Sequence, residues 1–195
     1  MSFRSYLRGF IPWIAFAAVS SFGWQWGALT ALILGVYLLG KQRRAGVAAD
    51  ALVLETSTVV YFVLLTALAF AVPGSSLRHS AGVASFSWLA LTAWGTLAAR
   101  HPFTLGIARQ GTPREFWDTP QFLRVNVVIT TVWALCFTLT AIAVALLVVA
   151  GGGTLATTLT QVAGFVVGAV FTARYPKIMQ ARYTARAAAA AHAAE

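Results

Sequence analysis

The chain has 195 residues, of which 59% are hydrophobic and only 10% are charged. About a quarter of the residues in a soluble globular protein are charged, so this composition excludes an ordinary soluble domain and predicts an integral membrane protein. The formal net charge of +9 favours contact with anionic lipid headgroups over nucleic acid, because the basic residues lie between the apolar segments and at the chain ends.

Six apolar segments follow one another along the chain, and we interpret each as a membrane-crossing helix. Crossing a ~30 Å hydrocarbon core takes about 20 helical residues, so the first two segments are short and either borrow interfacial residues or form a re-entrant pair. A single long helix over 9–40 is the competing interpretation, which the turn-forming residues after Gly23 and the distribution of charge disfavour. The segments cover residues 10–22, 26–40, 52–72, 81–99, 125–150 and 154–172.

The positions of the basic residues predict the topology. An even number of spans puts both termini on one side, and all of the 14 Lys and Arg residues except Arg78 then fall on that side. The positive-inside rule makes it the cytoplasmic side and leaves short outer turns near Gly23, Gly74 and Gly151. We therefore predict an all-α fold: a polytopic membrane helix bundle of six transmembrane helices in three hairpins, with both termini cytoplasmic.

Two parts of the chain differ in composition. Residues 1–175 form a single transmembrane helical domain, and residues 176–195 form a basic, alanine-rich cytoplasmic tail. Within the domain, Pro102, Pro113 and Pro120 interrupt any long helix in the inner loop 100–124, which we predict to lie at the membrane interface.

The inner loop also combines basic and aromatic residues. This combination is typical of a segment that binds anionic lipid headgroups or a partner protein. The residues that we assign to such binding are Arg100, Arg109, Arg114, Trp117 and Arg124.

Glu55 is the one acidic residue within the apolar segments. A charge inside a membrane is costly, so it is either an interfacial carboxylate paired with Arg43, Arg44 or Arg100, or a group that handles protons or substrate. In the second case Gln161 and threonine side chains of the last two segments would line the same path.

Small residues recur at four-residue spacing in two segments. Gly27 and Gly35 share a face of the second, and Gly164 and Gly168 share a face of the sixth. This spacing favours close helix packing, either within one bundle or in a homodimer, and the sequence does not separate the two.

Residues suited to catalysis or metal binding are scattered. Cys136 is the single cysteine, and His79, His101 and His192 fall in different parts of the chain, so we predict no metal, no cofactor and no catalysis. A lipid-modifying enzyme would have to use His101 with Glu115 or Asp118.

The order of five features resembles that of the bacterial intracellular septation protein A family of inner-membrane proteins, over residues 8–180. The alanine-rich tail, the arginine-rich loops and the turn at Gly151 depart from that pattern. The five features are Phe10-Ile11-Pro12, Lys41-Gln42-Arg43-Arg44, Arg100-His101-Pro102-Phe103, the loop residues Trp117, Pro120 and Phe122, and Asn126 with Trp133 in the fifth segment.

The resemblance implies a multi-pass protein of the bacterial cytoplasmic membrane that is linked to envelope maintenance, cell division and septation through protein partners. It implies no catalytic residue. We therefore expect a non-catalytic membrane protein that acts through envelope or division partners or anionic lipids. The alternative is a small-solute transporter or channel with Glu55 in its path, in which Glu55→Gln would abolish flux.

Overall fold

The computed structural model describes residues 3–75 and 77–192, and within those residues it is helical without any strand. The all-α prediction is therefore confirmed for that part of the chain, while residues 1, 2 and 76 of the predicted domain and 193–195 of the predicted tail lie outside it. The helices are α1 (Phe3–Val19), α2 (Trp24–Arg44), α3 (Val53–Ala71), α4 (Leu77–Ala98), α5 (Phe103–Arg109), α6 (Pro120–Val149) and α7 (Thr154–His192), with short 3-10 turns at Ser20–Phe22, Ala49–Leu52 and Arg114–Phe116.

Among the described residues, four helices are long and apolar enough to cross a membrane, which supports the prediction of a membrane protein. The stretch Gly9–Phe22 is apolar but shorter, and α2 ends in a basic last turn. The count of six spans stays a prediction. The four candidate spans are Ala49–Ala71, Ser80–Ala98, Pro120–Val149 and Thr154–Tyr183.

Three tight connections, at 20–23, 72–75 and 150–153, form what we call the turn end of the bundle. Gly23 and Gly151 adopt φ values of 136° and 71°, where a side chain is strained, and Pro73-Gly74 separates α3 from α4. The Trp24 indole N–H donates to the Pro73 carbonyl at 3.3 Å, which joins the first turn to the second. The opposite end, which we call the loop end, carries residues 45–52 and 99–119.

Helix α1 lies between two groups of helices and binds them through aromatic contacts. Phe10 stacks on Trp133 of α6 at 5.0 Å between ring centroids and meets Phe165 of α7 edge-on at 4.9 Å. One turn along, Trp13 stacks on Tyr61 of α3 at 5.0 Å. Each such pair stabilises the fold by about 0.5–1.5 kcal/mol beyond its burial. The shortest of the six long helices is therefore a central one.

Glycines set the closest approaches between helices. A Cβ added at Gly27 would lie 3.0 Å from the Phe16 carbonyl oxygen, and one added at Gly168 would lie 2.7 Å from the Trp133 ring. These positions bring α2 against α1 and α7 against α6. Gly35 faces Val59 of α3 and Gly164 faces Thr140 of α6 in the same way. All four glycines that the sequence marks for packing thus meet a neighbouring helix of this chain.

The first part of the inner loop forms a helix that packs against the bundle, and its predicted position at the membrane interface stays a prediction. Helix α5 is buried along most of its length, and Phe103 is only 2% exposed. The Thr104 hydroxyl donates to the Asn126 carbonyl of α6 at 3.0 Å, and Gly106 lies directly against the backbone of Ala51. Arg100 and His101 before α5, and most residues from Gln110 onwards, stay near the surface.

The last helix is longer than its apolar segment. The sequence predicted a membrane helix over 154–172 and an alanine-rich tail over 176–195, and α7 runs through both without a break as far as His192. Its 39 residues correspond to about 58 Å, more than a bilayer core. Pro176 removes one backbone hydrogen bond, to the carbonyl of Thr172, without ending the helix.

Candidate functional site

At the loop end, two arginines flank one tryptophan in a group that we call the Trp117 cluster. The guanidinium carbons of Arg109 and Arg114 lie 5.3 and 5.6 Å from the centre of the Trp117 ring. The Trp117 indole N–H donates to the Thr112 carbonyl at 2.9 Å, which fixes the ring in place. Both distances fall within the range of cation–π attraction.

The two arginines of this cluster differ in what else they bind. Arg109 donates to the Asp50 carboxylate at 2.8 Å, the one ion pair in the described part of the chain, so it joins α5 to the turn at Ala49–Leu52. Arg114 is exposed and has no carboxylate partner among the described residues. Arg109 therefore positions the cluster, and Arg114 is free to bind an anion.

The other predicted residues of the loop lie outside the cluster. Arg100 follows α4 with a φ of 59°, and Arg124 lies on the second turn of α6; both are exposed. Their charges add to a basic loop-end surface that also includes Lys41, Arg43 and Arg44 at the end of α2.

The side chains that a lipid-modifying enzyme would need do not bond to one another in the described part of the chain. The His101 ring nitrogen Nδ1 lies 2.8 Å from the Ala99 carbonyl oxygen, and neither Glu115 nor Asp118 bonds to it among the described residues. Over residues 3–75 and 77–192, no group of three His, Cys, Asp or Glu side chains is arranged to hold a metal ion.

Glu55 is buried in the contact between α1, α2 and α3. The Gln42 amide donates to its Oε1 at 3.2 Å, and its Oε2 is buried with no partner in the described part of the chain. The adjoining void, lined also by Gly9 and Thr58, measures about 10 Å³, no more than one water molecule needs. The structure therefore places Gln42 where the sequence suggested an arginine.

Gln161 lies elsewhere, in a large cavity that we call the groove. It measures about 1100 Å³ and is lined by α1, α4, α7 and the residues of the turn end. The exposed side chains of Ile14 and Val166 edge it, so it opens on the side of the bundle. Glu55 is not among its lining residues, so the two predicted intramembrane residues do not share a path.

The groove is polar near the turn end and apolar further in. Gln25, Arg78 and Thr154 lie at its turn end, and Phe10, Trp133 and Phe165 form the aromatic wall deeper in the bundle. The sequence marked Arg78 only as the exception to the charge rule, and it marked Gln161 as a possible path residue. Both line the groove, but the sequence did not predict that they share a cavity.

Comparison of the chain with protein-family models, curated proteins and solved structures finds no match. The resemblance to the septation protein A family rests on the residues quoted for it above.

Proposed function

We propose that this protein is a multi-pass protein of the bacterial inner membrane that supports envelope maintenance, division or septation by binding anionic lipids or partner proteins at its loop end. It catalyses no reaction in this proposal. The main support for it is the Trp117 cluster, in which Arg109 forms an ion pair with Asp50 and Arg114 has no carboxylate partner among the described residues. The membrane location rests on the four apolar helices and the charge bias.

The proposed topology has six spans in three hairpins and both termini in the cytoplasm. It is supported by the separation of the two ends, because Arg78 is the one Lys or Arg at the turn end within residues 3–75 and 77–192. To test it, Cys136 is replaced by serine, and a single cysteine is introduced at Gly74 or at Ala45, both of which are exposed. A membrane-impermeant maleimide added to intact spheroplasts should label only the cysteine at 74, and labelling at 45 alone would reverse the orientation.

The proposed binding at the loop end is tested by neutralising exposed arginines there while the ion pair that positions the Trp117 cluster is kept. In Arg114→Gln with Arg124→Gln, the Arg109–Asp50 ion pair stays intact. Arg174→Gln with Arg182→Gln is the matched control, since it removes the same charge from exposed positions on α7. Spin-labelled phosphatidylglycerol and phosphatidylcholine in proteoliposomes report headgroup selectivity, and crosslinking in cells reports partners.

We expect the loop variant, and not the control, to lose selectivity for phosphatidylglycerol or its crosslinked partners. Each charged contact near an anionic surface contributes about 1 kcal/mol, so two should change selectivity by roughly one to two orders of magnitude. Equal behaviour of the two variants on both readouts would overturn the proposal.

Transport is the second candidate, and the groove is the observation that favours it. In this candidate Gln161 rather than Glu55 would contact the solute, because its amide lines the groove and has no hydrogen-bond partner among the described residues. Gln161→Leu should then abolish solute flux in proteoliposomes while Glu55→Gln leaves it unchanged. A wild-type protein that moves no solute across a broad panel would remove this candidate.

A further inference from the structure

The groove has the polarity of a lipid molecule. Over its length along α7, from Thr154 to Thr172, it extends about 27 Å, which exceeds the roughly 15 Å that one leaflet contributes to a ~30 Å hydrocarbon core and leaves room for a headgroup and an extended acyl chain. Its inner part is walled by aromatic rings such as Phe86 and Phe165, which suit an acyl chain and offer little to a water-soluble solute. An amphiphile is therefore the class of ligand that its walls match.

The charge at the turn end selects the headgroup. Arg78 lines the groove there, is exposed, and has no ion-pair partner among the described residues. Helices α2, α4 and α7 begin at this end and α1, α3 and α6 end there, so their dipoles largely cancel and the Arg78 guanidinium is the charge that remains at the groove. A cation in the first turn of α4 is unfavourable on its own, and an anion beside it would remove that cost.

The side opening provides the route of entry. Ile14 is 60% exposed and Val162 is 52% exposed, and both line the groove. In a bilayer these side chains would face acyl chains, so a lipid enters from within the membrane without crossing water. A groove of about 1100 Å³ left empty would forfeit dispersion contacts along its whole wall.

We propose that the groove binds one membrane lipid with an anionic headgroup, which Arg78 holds at the turn end while an acyl chain lies along α7. This site is separate from the loop-end surface. Two matched pairs of variants test it. Arg78→Gln removes the headgroup contact, and Arg182→Gln removes the same charge from an exposed position at the other end of α7.

The second pair tests the acyl-chain position. Val166→Trp places a bulky ring in the groove, whereas Val167→Trp, at a similarly exposed neighbouring position, does not line it. Both side chains are more than half exposed, so neither variant disturbs a packed core. The full-length proteins in detergent are titrated with phosphatidylglycerol or phosphatidylcholine, and native mass spectrometry counts the lipids that remain bound and reports the oligomeric state.

We expect one tightly retained phosphatidylglycerol on the wild type. Its dissociation constant should rise about tenfold in Arg78→Gln, the factor that one charge-assisted hydrogen bond carries, and hardly at all in Arg182→Gln. Val166→Trp should lose lipid of both headgroup types, and Val167→Trp should keep it.

Four results would overturn the proposal. The first two are equal lipid affinities of Arg78→Gln and Arg182→Gln, and retention of the tightly bound lipid in Val166→Trp. The third is release of that lipid by inorganic phosphate alone, which would indicate a site for a free anion. The fourth is a wild-type dimer that dissociates in Val166→Trp, which would make a second copy of the chain the occupant of the groove.

Discussion

Replacing Gly168 by alanine tests the closest contact between α6 and α7. The added methyl group would lie 2.7 Å from ring carbons of Trp133. The ring is held on two sides, because its indole N–H donates to the Thr172 hydroxyl at 2.9 Å and its face stacks on Phe10. Since Trp133 is only 2% exposed, the clash must be relieved by moving α7 away from α6.

Two opposing effects set the size of the change. Overpacking a filled site costs about 1–3 kcal/mol. Alanine is also a better helix former than glycine by about 0.5–1 kcal/mol. Gly95 on α4 supplies the control, because a Cβ added there meets nothing within 4 Å and gains only the second effect. The difference in unfolding free energy between the two alanine variants should therefore be about 1–3 kcal/mol.

Thermal unfolding in detergent, followed by intrinsic fluorescence, measures this difference. For a chain of this size, 1 kcal/mol shifts the midpoint by about 2–4 °C. We expect Gly168→Ala to melt several degrees below Gly95→Ala. Trp133→Leu should make the Gly168→Ala substitution less costly, because it removes the ring that the methyl group meets. A Gly168→Ala variant as stable as Gly95→Ala, or additive effects in the double variant, would refute the close packing of α6 and α7.

Two further predictions concern buried hydrogen bonds. Gln42→Leu should lower the unfolding free energy by about 1–3 kcal/mol, because it removes the described donor to the buried Glu55 carboxyl; an unchanged melting midpoint would contradict that contact. Thr58→Val should lower the unfolding free energy by about 0.6–2 kcal/mol, because the Trp13 indole N–H loses its acceptor. Thr66→Val on the same helix is the control. It removes a buried hydroxyl that has no partner in the described part of the chain, so it should leave the unfolding free energy unchanged or raise it. Equal melting midpoints for these two variants would show that the indole bond does not form.

The sequence alone was enough to place the helices. Runs of apolar residues mark six of the seven, and the breaks between them fall where Gly23, Pro73 and Gly151 end or redirect a helix. These features are local, because a helix satisfies its own backbone hydrogen bonds and a glycine or proline acts on its own dihedral angles. The all-α class and the membrane setting follow from the same information.

Two features of the helices did not follow from local rules. Helix α7 continues through Pro176 into the alanine-rich tail. Helix α5 of the inner loop is buried, because Gly106 lets it lie against the backbone of Ala51. A proline marks the loss of one backbone hydrogen bond, but it does not determine which segment packs against the bundle.

The candidate sites depended on tertiary structure still more. Glu55 and Gln161 are both polar residues in apolar helices, and only the packing shows that one is enclosed beside Gln42 while the other faces the groove. The free energy of an apolar side chain is nearly the same against lipid as against another helix, so the pattern of hydrophobic residues does not predict which helix faces pack together. The sequence by itself determined that these helices exist and where they turn. The shapes and close contacts of side chains far apart in the chain decided which faces pack together and which leave the groove open.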